Sequence, residues 1–300
     1  MFDSFLVYAG FAIIAAGSVS LVWPLRFLGI RTRLVATMIV AVGAALEFIA
    51  GEMIDSYLVY LGLILFLVGL FSLILPIRFL AIRTRPVGAV VAAGGLLLAV
   101  IVLVLPVSGK EVTVPATRLD DWMPRWQVGE QHTIYVTASP EKVFEAIHAV
   151  RANEIFLFRT LTAIRRCGQK GPESILDAPE EKSILDVATQ TSFVLLGEEA
   201  PHELVIGTVV SAPATVWASG RRLTPEVFHE TLPPGFALAT MNFLARPDNH
   251  GGSTISTETR IYANTPAALR QFVVYWRIIH PGSDVIRRMW LRAIKQRAEG

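Results

Sequence analysis

Apolar residues form long unbroken runs in the first 107 positions, and a regular mixture of apolar and polar positions begins only after about residue 130. Four runs, about 5–23, 34–51, 57–77 and 87–107, are long enough as helices to cross roughly 30 Å of hydrocarbon at about 1.5 Å per residue. This pattern predicts an α-helical membrane bundle of four spans at the start of the chain.

The apolar region contains an internal repeat with an offset of 52 residues. Residues 3–35 align with 55–87 without a gap, and 18 of the 33 positions are identical. The repeat predicts two equivalent helical hairpins, about 3–51 and 55–107. Each hairpin turns at a sequence RFLxIRTR that follows a proline, and its arginines are predicted to lie at the membrane interface: Arg26, Arg31, Arg33, Arg78, Arg83 and Arg85.

The charges near these turns predict the orientation of the bundle. Arginine and lysine are enriched on the cytoplasmic side of a membrane, whereas the loop between the two hairpins carries Glu52 and Asp55. Both arginine turns are therefore expected in the cytoplasm, and an even number of spans places everything after 107 outside. We predict a multi-pass protein of the plasma (inner) membrane with an extracytoplasmic C-terminal domain.

Residues 108–128 have neither a helical nor a strand period, and we predict a juxtamembrane linker there. Trp122 and Trp126 belong to this segment. Because tryptophan is enriched where the bilayer meets water, both are predicted membrane-interface residues.

From 129 to 300 the pattern changes to that of an α+β domain. Residues 131–138, QHTIYVTA, alternate as a strand does, and the next segment begins a helix with Ser139 as the N-cap and Pro140 in the first position. A second short helix is expected over 152–164. Residues 168–190 are rich in Gly, Pro and acidic residues and predict a loop with helical turns.

The remainder of this region predicts an antiparallel sheet closed by a helix. Two pairs of alternating segments, within 191–212 and 235–263, each predict a hairpin. The last segment predicts a long helix that begins at Thr265 and Pro266 and is kinked at Pro281. The predicted fold is a helix-grip domain, in which a curved antiparallel sheet surrounds a long C-terminal helix.

Two sequences in this domain resemble a known superfamily. VTASPEKVFEAI at 136–147 resembles the opening of the START-like, Bet v 1-like superfamily of polyketide cyclase and lipid-transfer domains, also called SRPBCC. STETRIY at 256–262 and the segment 272–299 are similar to a bacterial branch of it. The resemblance covers about 130–298. It implies a cavity that binds a hydrophobic ligand, with the predicted lining Phe236, Leu238, Ile255, Thr257, Phe272, Trp276 and Ile279.

Composition supports this division into two regions. The chain is 53% apolar and only 17% charged, which is too apolar for an ordinary soluble protein of 300 residues. Residues 1–110 hold seven Lys and Arg and four Asp and Glu, and the remainder holds twenty and twenty-one. A net charge of +2 provides no extended basic surface, so nucleic acid is not an expected partner. The predicted partners are the lipid bilayer and a small hydrophobic molecule or lipid.

Catalytic motifs are not found in the sequence. There is no Gly-rich phosphate loop, no H-E-x-x-H and no G-x-S-x-G, and the six histidines lack metal-ligand spacing, so we predict no cofactor, no metal site and no assigned catalytic residue. Glu258 and Arg260 share one side of a strand, and we expect a solvated pair if Ile255 and Thr257 face inward. His280 is a candidate general base, with a locally satisfied helix histidine as the commoner alternative.

Three functions are compatible with these features. The leading hypothesis is a membrane-anchored binding protein for a hydrophobic small molecule or lipid, acting in sensing, storage or transfer. The second is a cyclase-type or dehydratase-type enzyme on the same fold. The third is a protein-interaction module on a membrane platform, which requires a filled core.

Overall fold

The computed structural model describes residues 54–75, 82, 84–169, 171–213, 223–249 and 251–300. The predicted spans 5–23 and 34–51 lie outside the described residues. The same is true of five predicted interface arginines, Arg26, Arg31, Arg33, Arg78 and Arg83. The chain divides into two compact units, 1–105 and 106–300.

Among the described residues of the first unit, two helices are long and apolar enough to cross a membrane. They are α1 (Ile54–Ile74) and α2 (Arg85–Val104), close to the predicted spans 57–77 and 87–107. Arg85, a predicted interface residue, is the exposed first residue of α2. Pro86 lies in the first turn, where its missing N–H leaves no helical hydrogen bond unmade.

Small residues bring α1 and α2 into backbone contact. A Cβ atom added to Gly69 would lie 2.3 Å from the backbone nitrogen of Ala92, and one added to Gly95 would lie 2.5 Å from that of Phe66. Between helices in lipid, such close approach provides van der Waals attraction that the hydrophobic effect does not supply. The pair is therefore packed through its glycines, while the large apolar side chains point away from the contact.

The second unit is built on a five-stranded antiparallel sheet in the order β3-β7-β6-β5-β4. Its strands are β3 (Val128–Val136), β4 (Val194–Glu199), β5 (Glu203–Ser211), β6 (Ala237–Pro247) and β7 (Ser253–Ala263). Both predicted hairpins, β4 with β5 and β6 with β7, are present. The antiparallel sheet and the long C-terminal helix predicted from the sequence are confirmed.

Helices of the second unit occupy the connections and the C-terminus. Between β3 and β4 lie α4 (Pro140–Ala149), α5 (Phe158–Arg165) and α6 (Ile184–Thr191). The last helix, α7 (Pro266–Glu299), runs for 34 residues through Pro281 and packs against β3, β6, β7 and α4. As predicted, Thr265 caps α7 by accepting a hydrogen bond from the backbone N–H of Ala268, at 3.2 Å.

The segment predicted as a linker, 108–128, is part of the folded domain. It contains a short strand pair, β1 (Lys110–Glu111) and β2 (Arg125–Trp126), and the helix α3 (Arg118–Trp122). Leu119 of α3 is fully buried against Leu196 and Val205 on the sheet. The linker interpretation is corrected because a capping box, Thr117 with Asp120, fixes the start of a helix too short to show a period.

The two predicted interface tryptophans have partners within this domain. Trp122 stacks on His229 with 4.4 Å between ring centroids, and Trp126 lies under the guanidinium of Arg260, 4.0 Å from its carbon. Both are half-buried. Through these contacts both tryptophans pack against the sheet on the face opposite α7.

The face of the sheet toward α7 is here called the inner face, and apolar clusters on it lie toward both ends of α7. The first apolar cluster gathers around the C-terminal part of α7 and includes Trp290, Ile294 and Ile255. The second apolar cluster lies around its N-terminal part and includes Phe272 and Ile261. The interval between them is occupied by polar side chains.

Candidate functional site

A group of buried polar side chains separates the two apolar clusters. Three elements, β3, β7 and α7, each contribute residues to both apolar clusters, and the polar side chains lie between those residues. The polar stretch lies between Val128 and Val136 on β3, between Ile255 and Ile261 on β7, and between 273 and 289 on α7. We call this group the polar cluster, and its members are Glu130, His132, Thr257, Thr259, His280, Ser283, Asp284 and Arg287.

The strand alternation explains the sheet half of the polar cluster. Glu130 and His132 are two positions apart on β3, so both side chains project to the inner face. The register of β3 with β7 sets Thr259 opposite Glu130 and Thr257 opposite His132. Four polar side chains, each at most 7% exposed, thus form two adjacent pairs midway along the edge strand β3 and its neighbour β7.

The helical period explains the other half. His280, Ser283, Asp284 and Arg287 follow one another at intervals of three, one and three residues, which places them on one face of α7. His280 and Asp284 are 3% and 2% exposed. Because apolar residues precede and follow this stretch on the same face, the polar groups are held inside the core.

Glu130 lies at the centre of the polar cluster. Its Oε1 accepts a hydrogen bond from the Ser283 hydroxyl at 2.7 Å and lies 3.5 Å from Nε of Arg287. Its Oε2 lies 3.4 Å from Nε2 of His280 and 3.6 Å from Nε2 of His132. Burial alone would raise the pKa of the Glu130 carboxyl, but the two imidazoles and the guanidinium outweigh it and lower that pKa well below its usual range. Glu130 is therefore a buried, ionised carboxylate.

The second buried carboxylate of the polar cluster is Asp284, which lies beside His132 and Arg288. Its Oδ1 lies 3.6 Å from Nε2 of His132, and both carboxylate oxygens lie 3.0 Å from Nε of Arg288. Each buried carboxylate of the polar cluster is thus beside one arginine and at least one histidine. This pairing satisfies the rule that a buried charge needs a close counter-charge.

Four polar atoms of the polar cluster nevertheless lack a hydrogen-bond partner among the described residues. They are Glu130 Oε2, His132 Nε2, Thr257 Oγ1 and Thr259 Oγ1. The two imidazole nitrogens approach Glu130 Oε2 at 3.4 and 3.6 Å, which is too long for a normal hydrogen bond. Since buried polar atoms in native proteins are nearly always paired, these four adjacent atoms require partners that the described residues do not supply, either ordered water or a polar group of a ligand.

Aromatic rings connect the polar cluster to the second apolar cluster. The rings of Trp276 and His280 stack with their centroids 4.7 Å apart and an interplanar angle of 23°. Phe272 continues the stack, 5.8 Å from Trp276 at 26°. An apolar face therefore leads directly along α7 to the polar atoms.

The structure distributes the predicted ligand residues unevenly. Phe272 and Trp276 form the aromatic stack, Thr257 belongs to the polar cluster, and Ile255 lies in the first apolar cluster. Ile279 is half-buried on α7. The remaining two are Phe236, buried just before β6, and Leu238, which packs against Met123 and Val227 on the outer face. Leu238 faces away from α7 because its neighbour Ala239 takes the inward position.

Glu258 and Arg260 point outward as expected, yet Arg260 is buried and Glu258 is half-buried. Arg260 is 5% exposed, and its guanidinium lies 2.8 Å from Asp120 of α3 and 2.6 Å from Glu258. The expectation of a solvated ladder is corrected because α3 and Trp126 cover this part of the sheet.

Sequence reasoning identified His280 and Thr257 but missed the other members of the polar cluster. Glu130 and His132 lie on a strand whose two faces have similar polarity, so hydrophobicity alone does not assign the inward side. Asp284 and Arg287 interrupt the apolar stripe of a long helix. That interruption between two apolar stretches was the available indication of a buried polar layer.

A shallow groove of about 430 Å³ lies on the outer face between the start of α3 and the adjoining ends of β5 and β6. Its principal carboxylate, Glu203, accepts hydrogen bonds from the backbone N–H of Arg118 at 2.7 Å and from the side chain of Asn242 at 2.6 Å. These bonds join α3 to the sheet. Both oxygens of the Glu203 carboxylate in this groove therefore accept hydrogen bonds, whereas Glu130 Oε2 in the polar cluster accepts none from the described residues.

Within the described residues, no group of three or more His, Cys, Asp or Glu side chains is arranged to hold a metal ion. The imidazoles and carboxylates of the polar cluster can instead exchange hydrogen bonds and protons with an organic group.

Comparison with known proteins returned structural neighbours alone. No protein-family model and no curated protein matches the chain. One similar solved structure is TTHA0849 from Thermus thermophilus, at 11% identity and a TM-score of 0.21, covering 57% of this chain and 97% of that one. Another is Ara h 8.0201, at 10% identity and a TM-score of 0.20, with the same two coverages.

Proposed function

We propose that this chain is a membrane-anchored binding protein for a small amphipathic molecule. The polar group of the ligand would bind at the polar cluster, and its apolar part would lie along the aromatic stack of Phe272, Trp276 and His280. The observation that carries the proposal is the set of four adjacent, buried polar atoms on β3 and β7 that have no partner within the described residues.

The cost of these atoms supports a binding role. A buried polar atom without a partner costs about 1–3 kcal/mol, so four together are a large penalty for a domain of ordinary stability. Valine in place of either threonine would remove part of that cost without changing the side-chain shape. A site that keeps such atoms recovers the cost when a ligand supplies the missing hydrogen bonds.

The apolar helices of the first unit support membrane attachment. α1 and α2 have mean hydropathies of 2.5 and 2.8 over their most apolar windows. We extend the proposal to four spans, because the sequence repeat assigns each described helix an equivalent in residues 1–51. The arginines of the two turns then favour a binding domain outside the cytoplasm.

A second candidate function is an enzyme of the cyclase or dehydratase type. The specific observation is that each imidazole of the polar cluster lies beside a carboxylate, His280 at 3.4 Å from Glu130 and His132 at 3.6 Å from Asp284. A histidine oriented by a carboxylate can remove a proton from a bound substrate. In a binding protein the same pairs only hold the polar group in place.

The test is to identify what the protein carries. The full chain is purified in lipid nanodiscs, denatured, and its released small molecules are analysed by mass spectrometry. The same analysis is made on the Thr257→Val/Thr259→Val variant, which lacks the two unpartnered hydroxyls. The matched control is Thr240→Val, the same substitution at a fully buried position on the outer face of β6.

A compound present at near one per chain in the wild type and the Thr240→Val control, and depleted in the double variant, is the expected result. Equal lipid content in all three preparations would contradict the binding proposal and favour an interaction module. A released mixture of a compound and its cyclised or dehydrated product would favour the enzyme, and loss of the product in His280→Ala would assign the proton transfer.

A further inference from the structure

The charges and hydrogen-bonding capacity of the polar cluster restrict the ligand further. We propose, building on the binding function above, that the polar end of the ligand is an uncharged hydroxyl group, alcohol or phenol, which donates its hydrogen to Glu130 Oε2. The charges around Glu130 disfavour carboxylates, phosphates and ammonium groups at that position.

The need for a donor comes from Glu130. An ionised carboxylate can only accept hydrogen bonds, and the donors nearest to Oε2, Nε2 of His280 and of His132, lie 3.4 and 3.6 Å away, too far for a normal hydrogen bond. The lowered pKa of Glu130 means that it stays ionised over the ordinary pH range. Its partner in the ligand must therefore carry a hydrogen.

The need for an acceptor comes from the threonines. The hydroxyls of Thr257 and Thr259 each have a hydrogen to donate, and neither donates to an atom of the described part of the chain. A ligand hydroxyl donates once and accepts twice. One such group can thus satisfy Glu130 Oε2 and receive hydrogen bonds from the threonine pair, because these side chains are neighbours in the register of β3 and β7.

An anionic group is disfavoured because the positive charges of the site already face carboxylates. Arg287 lies beside Glu130 and Arg288 beside Asp284. A ligand carboxylate would place a third negative charge within a few ångströms of ionised Glu130, in a layer with little access to water. Like charges at that separation repel strongly when they are buried.

An ammonium group is disfavoured by the arginines. Arg287 lies 3.5 Å from Glu130 and Arg288 lies 3.0 Å from Asp284, so two guanidinium groups already face the two buried carboxylates. Positive charge is thus already crowded on the helix side of the polar cluster. An uncharged hydroxyl avoids both conflicts.

The experiment compares three probes with the same ring and different polar groups. They are 2-naphthol, 2-naphthoate and 2-naphthylmethylamine, titrated calorimetrically at neutral pH into the full chain in nanodiscs, with the heat for empty nanodiscs subtracted. The naphthalene ring matches the aromatic stack of Phe272 and Trp276. We expect 2-naphthol to bind about tenfold or more tightly than either charged probe.

A variant assigns the preference to the carboxylate. Glu130→Gln offers an amide that can donate as well as accept, so the advantage of 2-naphthol over 2-naphthoate should fall by about tenfold. Thr240→Val, on the outer face of the sheet, should retain the wild-type order. The wild-type comparison remains decisive even if Glu130→Gln does not fold.

The outcomes separate this inference from the function on which it rests. Equal affinities, or a preference for 2-naphthoate or the amine, would overturn the hydroxyl assignment and leave the binding function supported. Binding of none of the probes, together with no ligand released from the purified chain, would overturn both.

Discussion

Thr259 lies directly opposite Glu130 in the register of β3 and β7, and each side chain has a buried oxygen without a partner among the described residues. With the neighbouring pair His132 and Thr257, this pair places four buried polar side chains between the two apolar clusters of the inner face. The inner face has retained polarity at a cost to stability. Such a cost is typical of a binding site.

The first prediction concerns that cost. Thr259→Val should raise the free energy of unfolding of the ligand-free protein by about 1 kcal/mol, because it removes an unsatisfied buried hydroxyl and keeps the side-chain shape. Chemical denaturation of the full chain in detergent, followed by circular dichroism, measures the change. Thr240→Val is the control, since its hydroxyl contacts Met123 Sδ at 3.5 Å and no gain is expected there. A loss of stability in Thr259→Val would show that its hydroxyl is already satisfied.

The second prediction concerns acid. The folded-state pKa of Glu130 is lowered, so its ionisation contributes stability above the unfolded pKa of about 4.3, and the contribution is lost as the pH falls below that value toward the folded pKa. Between about pH 5 and pH 3 the melting temperature should therefore fall more steeply in wild type than in Glu130→Gln. The charged and titratable groups facing Glu130 are His132 of its own strand and His280, Asp284 and Arg287 of α7. Parallel curves for the two proteins would mean that Glu130 is not stabilised by these neighbours.

The inward face of a strand could be predicted from the sequence where the two faces differ in polarity, and it could not be predicted where they are alike. On β7 the structure places Ile255 and Thr257 inward, the arrangement that the sequence favoured because Glu258 and Arg260 on the other side are charged. On β3 the inward set holds Glu130 and His132, and the outward set is just as polar. Only the pairing with β7 fixes the direction, and pairing is a long-range property that local periodicity does not contain.

The outer face of the sheet shows a second reason why part of the structure could not be predicted from the sequence. The helix α3 has five residues, fewer than two turns, so no period can be detected. Arg260 looks solvent-directed in the alternation of β7, and nothing local indicates that residues some 140 positions earlier cover it. The capping box at Thr117 was the local indication of structure within the predicted linker.

The third prediction tests the ion pair between Arg260 of the sheet and Asp120 of α3. Arg260→Met should lower the free energy of unfolding of the domain by about 3–5 kcal/mol, because it leaves the buried carboxylate of Asp120 without its counter-charge. The pKa of Asp120 is lowered in the folded protein: burial raises it, and the Ala116 backbone N–H and Arg260 outweigh that effect. Adding Asp120→Asn to Arg260→Met should recover part of the loss. Chemical denaturation of the wild type, Arg260→Met, Asp120→Asn and the double variant gives the coupling energy between the two residues. Simple additivity of the two changes in the free energy of unfolding would mean that the pair does not interact.

The fourth prediction concerns the contact between α1 and α2. Gly94 and Gly95 are adjacent on α2, yet a Cβ atom on Gly95 would lie 2.5 Å from the backbone nitrogen of Phe66, whereas one on Gly94 meets no described atom within 4 Å. Gly95→Ala should therefore force α1 and α2 apart and cost about 1–3 kcal/mol, the usual range for overpacking. Gly94→Ala should be neutral or stabilising, because alanine is the better helix former by about 1 kcal/mol.

The two glycine variants are compared by thermal unfolding of the full chain in detergent, with helix content as the signal. Because both substitutions add the same methyl group to the same helix, any difference between them reports the contact with α1. Equal stability of the two variants would mean that the helices do not touch through Gly95 in the folded protein. A selective loss in Gly95→Ala would establish that α1 and α2 form a packed hairpin, as the repeat in the sequence requires of each of its copies.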